Sequence, residues 1–306
     1  MPTTPLDVPR LDVRRSFASV GGVRIHWAEI GEESAAPPVV MIHGLQDCHL
    51  TWRRVASLLA RDRRVLLPDL PGHGLSDRPD AAYDLPWYAR VIAAWLRTID
   101  VPVADVVGHS LGGGIGQMLL LECRDRIRRL VLAASGGLGR EISTLLRLAL
   151  VLIAVERFGQ PFFGVGTRLA LRGVLAPEDV AELSAMNATV GSARAFARTV
   201  RDLIDWRGQR RRFFERAHEI LALPPIAVIW GDRDRVIPAR HAEAFAALVA
   251  GVEVTVLAGC GHYLHNEQPE RFAQVVRTFL DVPVAVAARL RAAPFVHALA
   301  THTAAP

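Results

Sequence analysis

The sequence predicts an α/β protein: a mostly parallel, twisted eight-stranded sheet flanked by helices, with an inserted all-helical cap. Three observations predict it. Short apolar runs alternate with helical patterns from Val39 to Ala134, the order that pairs strands in parallel with helices on both faces. After Ser135, Gly136 and Gly137 that rhythm breaks, and only helical periodicity follows to about Leu223. Strands and helices then resume to about Leu280. The expected divisions are a core in two parts, 1–137 and 224–281, a cap over 138–223 and a tail over 282–306.

Taken in order, residues 13–30 hold two alternating segments that meet at Gly21 and Gly22, a hairpin signal. A buried strand over Val39–His43 leads to His43, Gly44, Leu45 and Gln46, then to a helix from about Thr51 to Ala60. The strand Arg64–Asp69 exits through DLPGHGLSD, a stretch rich in turn residues. A helix over Trp87–Ile99, a strand over Val103–Gly108, a helix over Leu111–Cys123 and a strand over Ile127–Ala134 follow.

The cap reads as helices over Ile142–Phe158, Phe162–Gly173, Pro177–Met186, Ser192–Ile204 and Gln209–Ala222. Strands over Ile226–Trp230 and Val252–Leu257 alternate with helices near Ala239–Val249 and Glu270–Leu280. The alanine-rich tail from Val282 to Pro306 carries one short helical pattern, which either packs on the body or frays.

Composition narrows the class. The 51% hydrophobic content of 306 residues supports a large core, and a charged fraction of 22% is ordinary for a folded protein. A net charge of +5 raises the question of a nucleic-acid face, but all 36 basic residues are arginine and they are spread along the chain. The densest cluster, Arg207 with Arg210, Arg211 and Arg212, reads as a solvated helix face, so no nucleic-acid partner is expected. Cys48, Cys123 and Cys260 have neither zinc nor CxxC spacing, which favours a reducing compartment without a structural disulfide. The N-terminus lacks the apolar segment of a signal peptide, and the longest apolar run, Leu148–Val155, is too short to span a bilayer. These features predict a cytoplasmic protein with no integral membrane segment.

The chemistry centres on Gly108, His109, Ser110, Leu111 and Gly112, a GxSxG pattern where a strand gives way to a helix. Such a junction forces its central residue into a strained backbone and lifts a serine Oγ above the sheet edge. Taken alone, the pattern fits a small-residue turn equally well. Serine is a poor nucleophile without a base, and the base needs a carboxylate to orient it. Two later loops offer both. Asp232 and Asp234 follow the strand Ile226–Trp230, with Asp234 as the orienting acid and Asp232 as a turn or capping residue. His262 follows Gly259, Cys260 and Gly261 and is the expected base, while His265 is the weaker candidate. The backbone N–H groups of Leu45 and Leu111 are the expected oxyanion donors. His43 reads as holding its loop. Gln46 either polarises a substrate carbonyl or binds backbone, with the second favoured.

Five segments, HGLQ at His43, DLPGHGLSD at Asp69, GHSLGGG at Gly108, WGDRDRVIP at Trp230 and GCGHYLHNEQPERF at Gly259, resemble in order and spacing the α/β-hydrolase superfamily. The likeness spans about residues 15–281 and points to its capped, lipase-like serine hydrolase branch. The resemblance implies a cofactor-independent enzyme that binds no metal. Serine at position 110 disfavours the dehalogenase and epoxide-hydrolase branches, which place aspartate there. Tyr83, Tyr88 and Tyr263 also all lie outside the cap. Carbon–carbon bond hydrolases usually carry a glycine- and proline-rich oxyanion loop, and here that loop reads Leu45, Gln46, Asp47 and Cys48.

The resulting expectation is hydrolysis of a carboxylic ester, thioester or lactone of a small to medium apolar substrate through an acyl-serine. Perhydrolase or acyltransferase chemistry, carbon–carbon hydrolysis and a ligand-binding role are the alternatives. Leu145, Leu148 and Phe162 are the cap candidates for substrate contact, within a wider apolar set that includes Val151, Leu152, Phe158 and Phe163.

Overall fold

The computed structural model describes residues 13–144, 156, 158–210, 213–216, 219–220, 222–282 and 289–290. Eight strands form one sheet: β1 (Arg14–Val20), β2 (Val23–Ile30), β3 (Val39–Ile42), β4 (Val65–Pro68), β5 (Ala104–His109), β6 (Ile127–Ala133), β7 (Ile226–Gly231) and β8 (Glu253–Leu257). Their spatial order is β1-β2-β4-β3-β5-β6-β7-β8. β2 pairs antiparallel with β1 and β4, and every other pairing is parallel.

The sequence of each strand matches its place. β3 (VVMI), β5 (ADVVGH) and β7 (IAVIWG) are buried at every position, as strands covered on both faces require. β1 and β8 lie at the two edges and keep exposed residues along their length. The first hairpin turns at Gly21 and Gly22, both at positive φ.

Helices α1 (Arg53–Leu59), α2 (Leu85–Thr98) and α3 (Leu111–Glu122) follow β3, β4 and β5. A 3₁₀ turn over His49–Trp52 leads into α1, so the helix begins two residues later than expected. The Asp84 carboxylate caps α2 by accepting the Trp87 N–H at 2.7 Å, and Pro86 sits in the first turn. α3 is buried on all sides from Leu111 to Leu120 because it packs against α2, β3, β5 and β6.

Between β6 and β7 the chain forms α4 (Gln160–Leu171), α5 (Pro177–Asn187) and α6 (Ser192–Leu203). The helix expected over Gln209–Ala222 is not what the described residues form. Ile204 and Asp205 pair antiparallel with Gln209 and Gly208, and Phe213–Glu215 is a 3₁₀ turn. The cause is local: the Gln209 N–H donates to the Arg140 carbonyl and the Arg210 N–H to that of Leu203, both at 2.8 Å, which holds this segment extended. Arg207 and Arg210 are exposed, as expected, but on this turn and ladder instead of a helix. Most of the expected Ile142–Phe158 helix lies outside the described residues.

A second apolar cluster ties the insert to the core, joining Leu171, Leu175, Val180 and Leu183 to Cys48 and Leu50. After β7 come α7 (Arg240–Leu248), α8 (Leu264–Glu267) and α9 (Pro269–Asp281), and α9 packs on α1. Of the tail, Arg289 and Leu290 pair antiparallel with Ala250 and Val249. All three cysteines are free. No helix among the described residues is long and apolar enough to cross a membrane.

Candidate active site

Ser110 occupies the turn between β5 and α3 at φ 52°, ψ −111°, a strained backbone for a residue with a side chain. The turn closes only because its neighbours lack side chains. A Cβ on Gly108 would collide with the Gly112 carbonyl, and a Cβ on Gly112 with the carbonyl oxygen of Ile42 on β3. The small residues of GHSLG are therefore demanded by backbone approaching backbone.

The expected acid and base arrive from the same edge of the sheet. Asp234 lies three residues beyond β7, and His262 lies in the loop between β8 and α8. The Asp234 side chain is fully buried, and its Oδ2 accepts from His262 Nδ1 at 2.8 Å. Its Oδ1 accepts the backbone N–H groups of Val236 at 2.7 Å and Ile237 at 2.9 Å, which fixes the carboxylate plane. With Nδ1 protonated by this contact, Nε2 presents a lone pair toward Ser110 Oγ at 3.1 Å. The competing aspartate, Asp232, turns the other way and accepts the Gly259 N–H at 2.7 Å. His265 is buried, with Nε2 on Thr51 Oγ1 at 2.9 Å, and makes no bond to the serine.

Leu45 and Leu111 both line the cavity beside Ser110. Leu111 is the first residue of α3, so its N–H has no partner within the helix. His43 holds the neighbouring loop from inside: Nδ1–H donates to the Gly44 carbonyl at 2.8 Å, and Nε2 accepts the Leu70 N–H at 3.0 Å. Burial keeps it neutral, with its pKa pushed down to about 4. Gln46 sits at φ 59°, lines the cavity, and its backbone carbonyl accepts from Asn187 Nδ2 at 2.9 Å.

The cavity has a volume of about 340 Å³. Core loops form its floor, and the insert supplies its other side through Thr167, Leu171, Phe196, Leu203, Ile204 and Gln209. The cap candidates fare differently. Leu145 and Leu148 lie outside the described residues, as do Val151 and Leu152. Phe162 is 73% exposed and does not line the cavity. Adjacent positions on a helix point about 100° apart, and here Phe163 takes the buried place, packed on Phe196 at 5.3 Å between ring centroids. Phe158 is also exposed.

Sequence reasoning passed over Phe196 and Leu203, which share the apolar face of α6. The spacing of Phe196, Val200 and Leu203 was the available signal. It also passed over Gln209, whose Oε1 accepts the Gly137 N–H at 2.7 Å and so ties the insert to the loop after β6. No residue spacing announced that contact across 72 positions.

Behind the site, the DLPGHGLSD segment folds around the buried carboxylate of Asp69. It accepts from His26 Nδ1 at 2.8 Å, His49 Nδ1 at 2.9 Å, the His49 N–H at 2.8 Å and the Leu75 N–H at 2.9 Å. Burial alone would raise this carboxyl, but the bonds from His26 and His49 outweigh it and hold the group well below the usual range. His109, beside Ser110, is kept neutral by burial, with further depression from His265 and His262 nearby. Its Nε2–H donates to the His262 carbonyl at 2.9 Å.

A strained serine at a sheet edge, a histidine hydrogen-bonded to it and a buried aspartate behind that histidine meet on the eight-stranded sheet of an α/β-hydrolase fold. The chain belongs to this family: the model described as alpha/beta hydrolase fold matches residues 37–269. Among its relatives, an uncharacterised protein of Mycobacterium tuberculosis is 34% identical over 280 residues, covering 87% of this chain and 80% of that one. The 2-hydroxymuconate semialdehyde hydrolase of Pseudomonas sp. (strain CF600) is 32% identical over 274 residues, covering 85% and 91%. Among solved structures, a hydrolase from Pseudomonas aeruginosa PA01 superposes with a TM-score of 0.71 at 26% identity, covering 88% of this chain and 99% of that one.

Proposed function

We propose that the protein is a serine hydrolase that cleaves a carboxylic ester, thioester or lactone of a small to medium apolar substrate through an acyl-serine intermediate. The observation that carries this reading is the hydrogen-bonded series Ser110, His262, Asp234 opening onto an apolar cavity. Ser110 Oγ attacks the substrate carbonyl as His262 Nε2 takes its proton. Asp234 holds the Nδ1–H and stabilises the imidazolium that forms. The N–H groups of Leu45 and Leu111 receive the oxyanion. His262 then returns the proton to the leaving alcohol, and water repeats the attack on the acyl-serine.

The lining supports an uncharged substrate. Among the described residues that line the cavity there is no arginine and no carboxylate, and a buried charge without a partner is costly. The helices of the insert act as a cap in this reading, and Phe196, Leu203 and Ile204 contact the acyl or alcohol group.

The test is a screen of p-nitrophenyl esters of increasing acyl length beside Ser110→Ala. Wild type should turn over esters and label with a fluorophosphonate, and the variant should lose about 10⁵- to 10⁶-fold in kcat. Wild-type turnover by Ser110→Ala would reject the acyl-serine.

A second reading, hydrolysis of a carbon–carbon bond in a ring-cleavage product, is favoured by the 32% identity to the semialdehyde hydrolase. A ring-cleavage dienoate turned over faster than every ester in the screen would place that reading first.

A further inference from the structure

Three neighbouring buried side chains among the described residues each leave one polar atom unpartnered: Asp47 Oδ2, His109 Nδ1 and His265 Nδ1. The three side chains are at most 1% exposed. One nitrogen of each histidine and one oxygen of Asp47 all lie within 4.8 Å of one another. The remaining polar atoms of these side chains are engaged. Asp47 Oδ1 accepts the Cys48 N–H at 2.8 Å, His109 Nε2 meets the His262 carbonyl, and His265 Nε2 meets Thr51 Oγ1. Buried polar atoms are rarely left unpaired, so three orphans on three neighbouring residues call for a common partner.

We propose that Asp47, His109 and His265 form a site for one buried water molecule, and that this bridged hub positions the oxyanion loop against the nucleophile elbow. One nitrogen of each histidine and one Asp47 oxygen, at most 4.8 Å apart, can all be reached from one point at about 2.8 Å, a normal hydrogen-bond length. The proton count closes. A carbonyl only accepts, so His109 Nε2 carries its hydrogen and Nδ1 is a bare acceptor. With Thr51 Oγ1, which accepts from Asn266 Nδ2 at 2.8 Å, as the donor to His265 Nε2 at 2.9 Å, His265 Nδ1 carries its hydrogen and is a donor. The water accepts from His265 and donates to His109 Nδ1 and Asp47 Oδ2, so the one donor and two acceptors are all satisfied.

The hub reaches each part of the site. Asp47 lies two residues beyond Leu45, His109 directly precedes Ser110, and His265 lies three residues beyond His262. The His109 and His265 rings also touch, 4.5 Å between centroids. All three are positioning residues, acting through Leu45, Ser110 and His262. Burial pushes the Asp47 carboxyl up to about 7, which marks how poorly the protein alone solvates it. This functional part rests on the acyl-serine reading, whereas the water site itself does not.

The experiment has two arms. A high-resolution crystal structure of the whole protein, with metal content measured on the same sample, should show one density peak within hydrogen-bond distance of all three atoms, no anomalous signal and no bound metal. No peak, or a stoichiometric metal there, overturns the water site. In the second arm, Asp47→Ala should lower kcat for p-nitrophenyl butyrate about tenfold or more while KM stays within about twofold, since the oxyanion donor is displaced but the cavity is kept. Inhibition by butylboronic acid, which mimics the tetrahedral oxyanion, should weaken by a similar factor. Asp47→Asn should recover most of both losses, because its amide still accepts the Cys48 N–H and donates to the water. An Asp47→Ala protein with lowered Tm but unchanged kcat and boronate inhibition overturns the positioning role. Failure of the acyl-serine reading would appear separately, as wild-type protein that no fluorophosphonate labels.

Discussion

Asp234→Asn separates orientation of the base from every other role of the loop after β7. Asparagine keeps an oxygen for the Val236 and Ile237 N–H groups, which Asp234 Oδ1 now accepts at 2.7 and 2.9 Å, so the loop retains its internal bonds. The other arm becomes an amide N–H facing His262 Nδ1 across the present 2.8 Å. Two donors cannot share that contact, so His262 must expose a lone pair at Nδ1 and carry its hydrogen on Nε2. That tautomer cannot accept the Ser110 proton. Loss of base function through the wrong tautomer costs about 10⁴ in kcat, or about 5 kcal/mol of transition-state stabilisation. Nitrophenolate release from a short ester gives kcat, and thermal unfolding should place the variant within a few degrees of wild type. A folded Asp234→Asn enzyme retaining more than a tenth of wild-type kcat would refute the assignment of Asp234 as the acid that orients His262.

Other perturbations test the scaffold. Gly112→Ala drives a methyl group into the Ile42 carbonyl, so the elbow cannot close; soluble protein with normal fluorophosphonate labelling would contradict this. Leu183→Ala empties a fully buried position in the cluster that joins the insert to the core, and should cost about 2–5 kcal/mol by denaturant titration. Burial depresses His43 to about 4 and His73 and His265 to about 3. A depressed folded-state pKa gives stability that is complete above the unfolded value near 6.5 and is lost as pH falls toward the folded value. Asp47, raised to about 7, acts in the opposite sense and offsets about one histidine. Stability should therefore fall by several kcal/mol between pH 6.5 and 4; a flat denaturation midpoint across that window would rule out neutral buried histidines. Phe196→Trp narrows the cavity beside Ser110 and should shift ester preference toward shorter acyl chains, read as the ratio of kcat/KM values for butyrate and octanoate esters.

The core was legible because its signals are local. Each buried strand is a short apolar run, and Gly108 and Gly112 announce the elbow through their lack of side chains. The order Ser110, Asp234, His262 follows the strand ends. What escaped depends on contacts between distant parts of the chain. Gln209 was expected in a helix, yet bonds to Gly137 and Arg140 pull its segment extended. Phe162 and Phe163 are indistinguishable in composition, and only the packing of α4 on α6 decides which is buried. The polar hub of Asp47, His109 and His265 spans more than 200 positions and has no motif of its own.

The Asp69 carboxylate has a consequence for how the sheet is assembled. β4 is the strand where antiparallel and parallel pairing meet, lying between β2 and β3. Apolar runs such as VLLP fit a neighbouring strand in more than one alignment, so hydrophobicity alone does not fix their offset. A slip of one residue between β2 and β4 would turn His26 to the opposite face and leave Asp69 buried short of a partner. Breaking a buried pair in this way costs about 3–5 kcal/mol. Asp69 therefore acts as a proofreader of alignment, making a misaligned sheet unstable before any substrate site can form upon it.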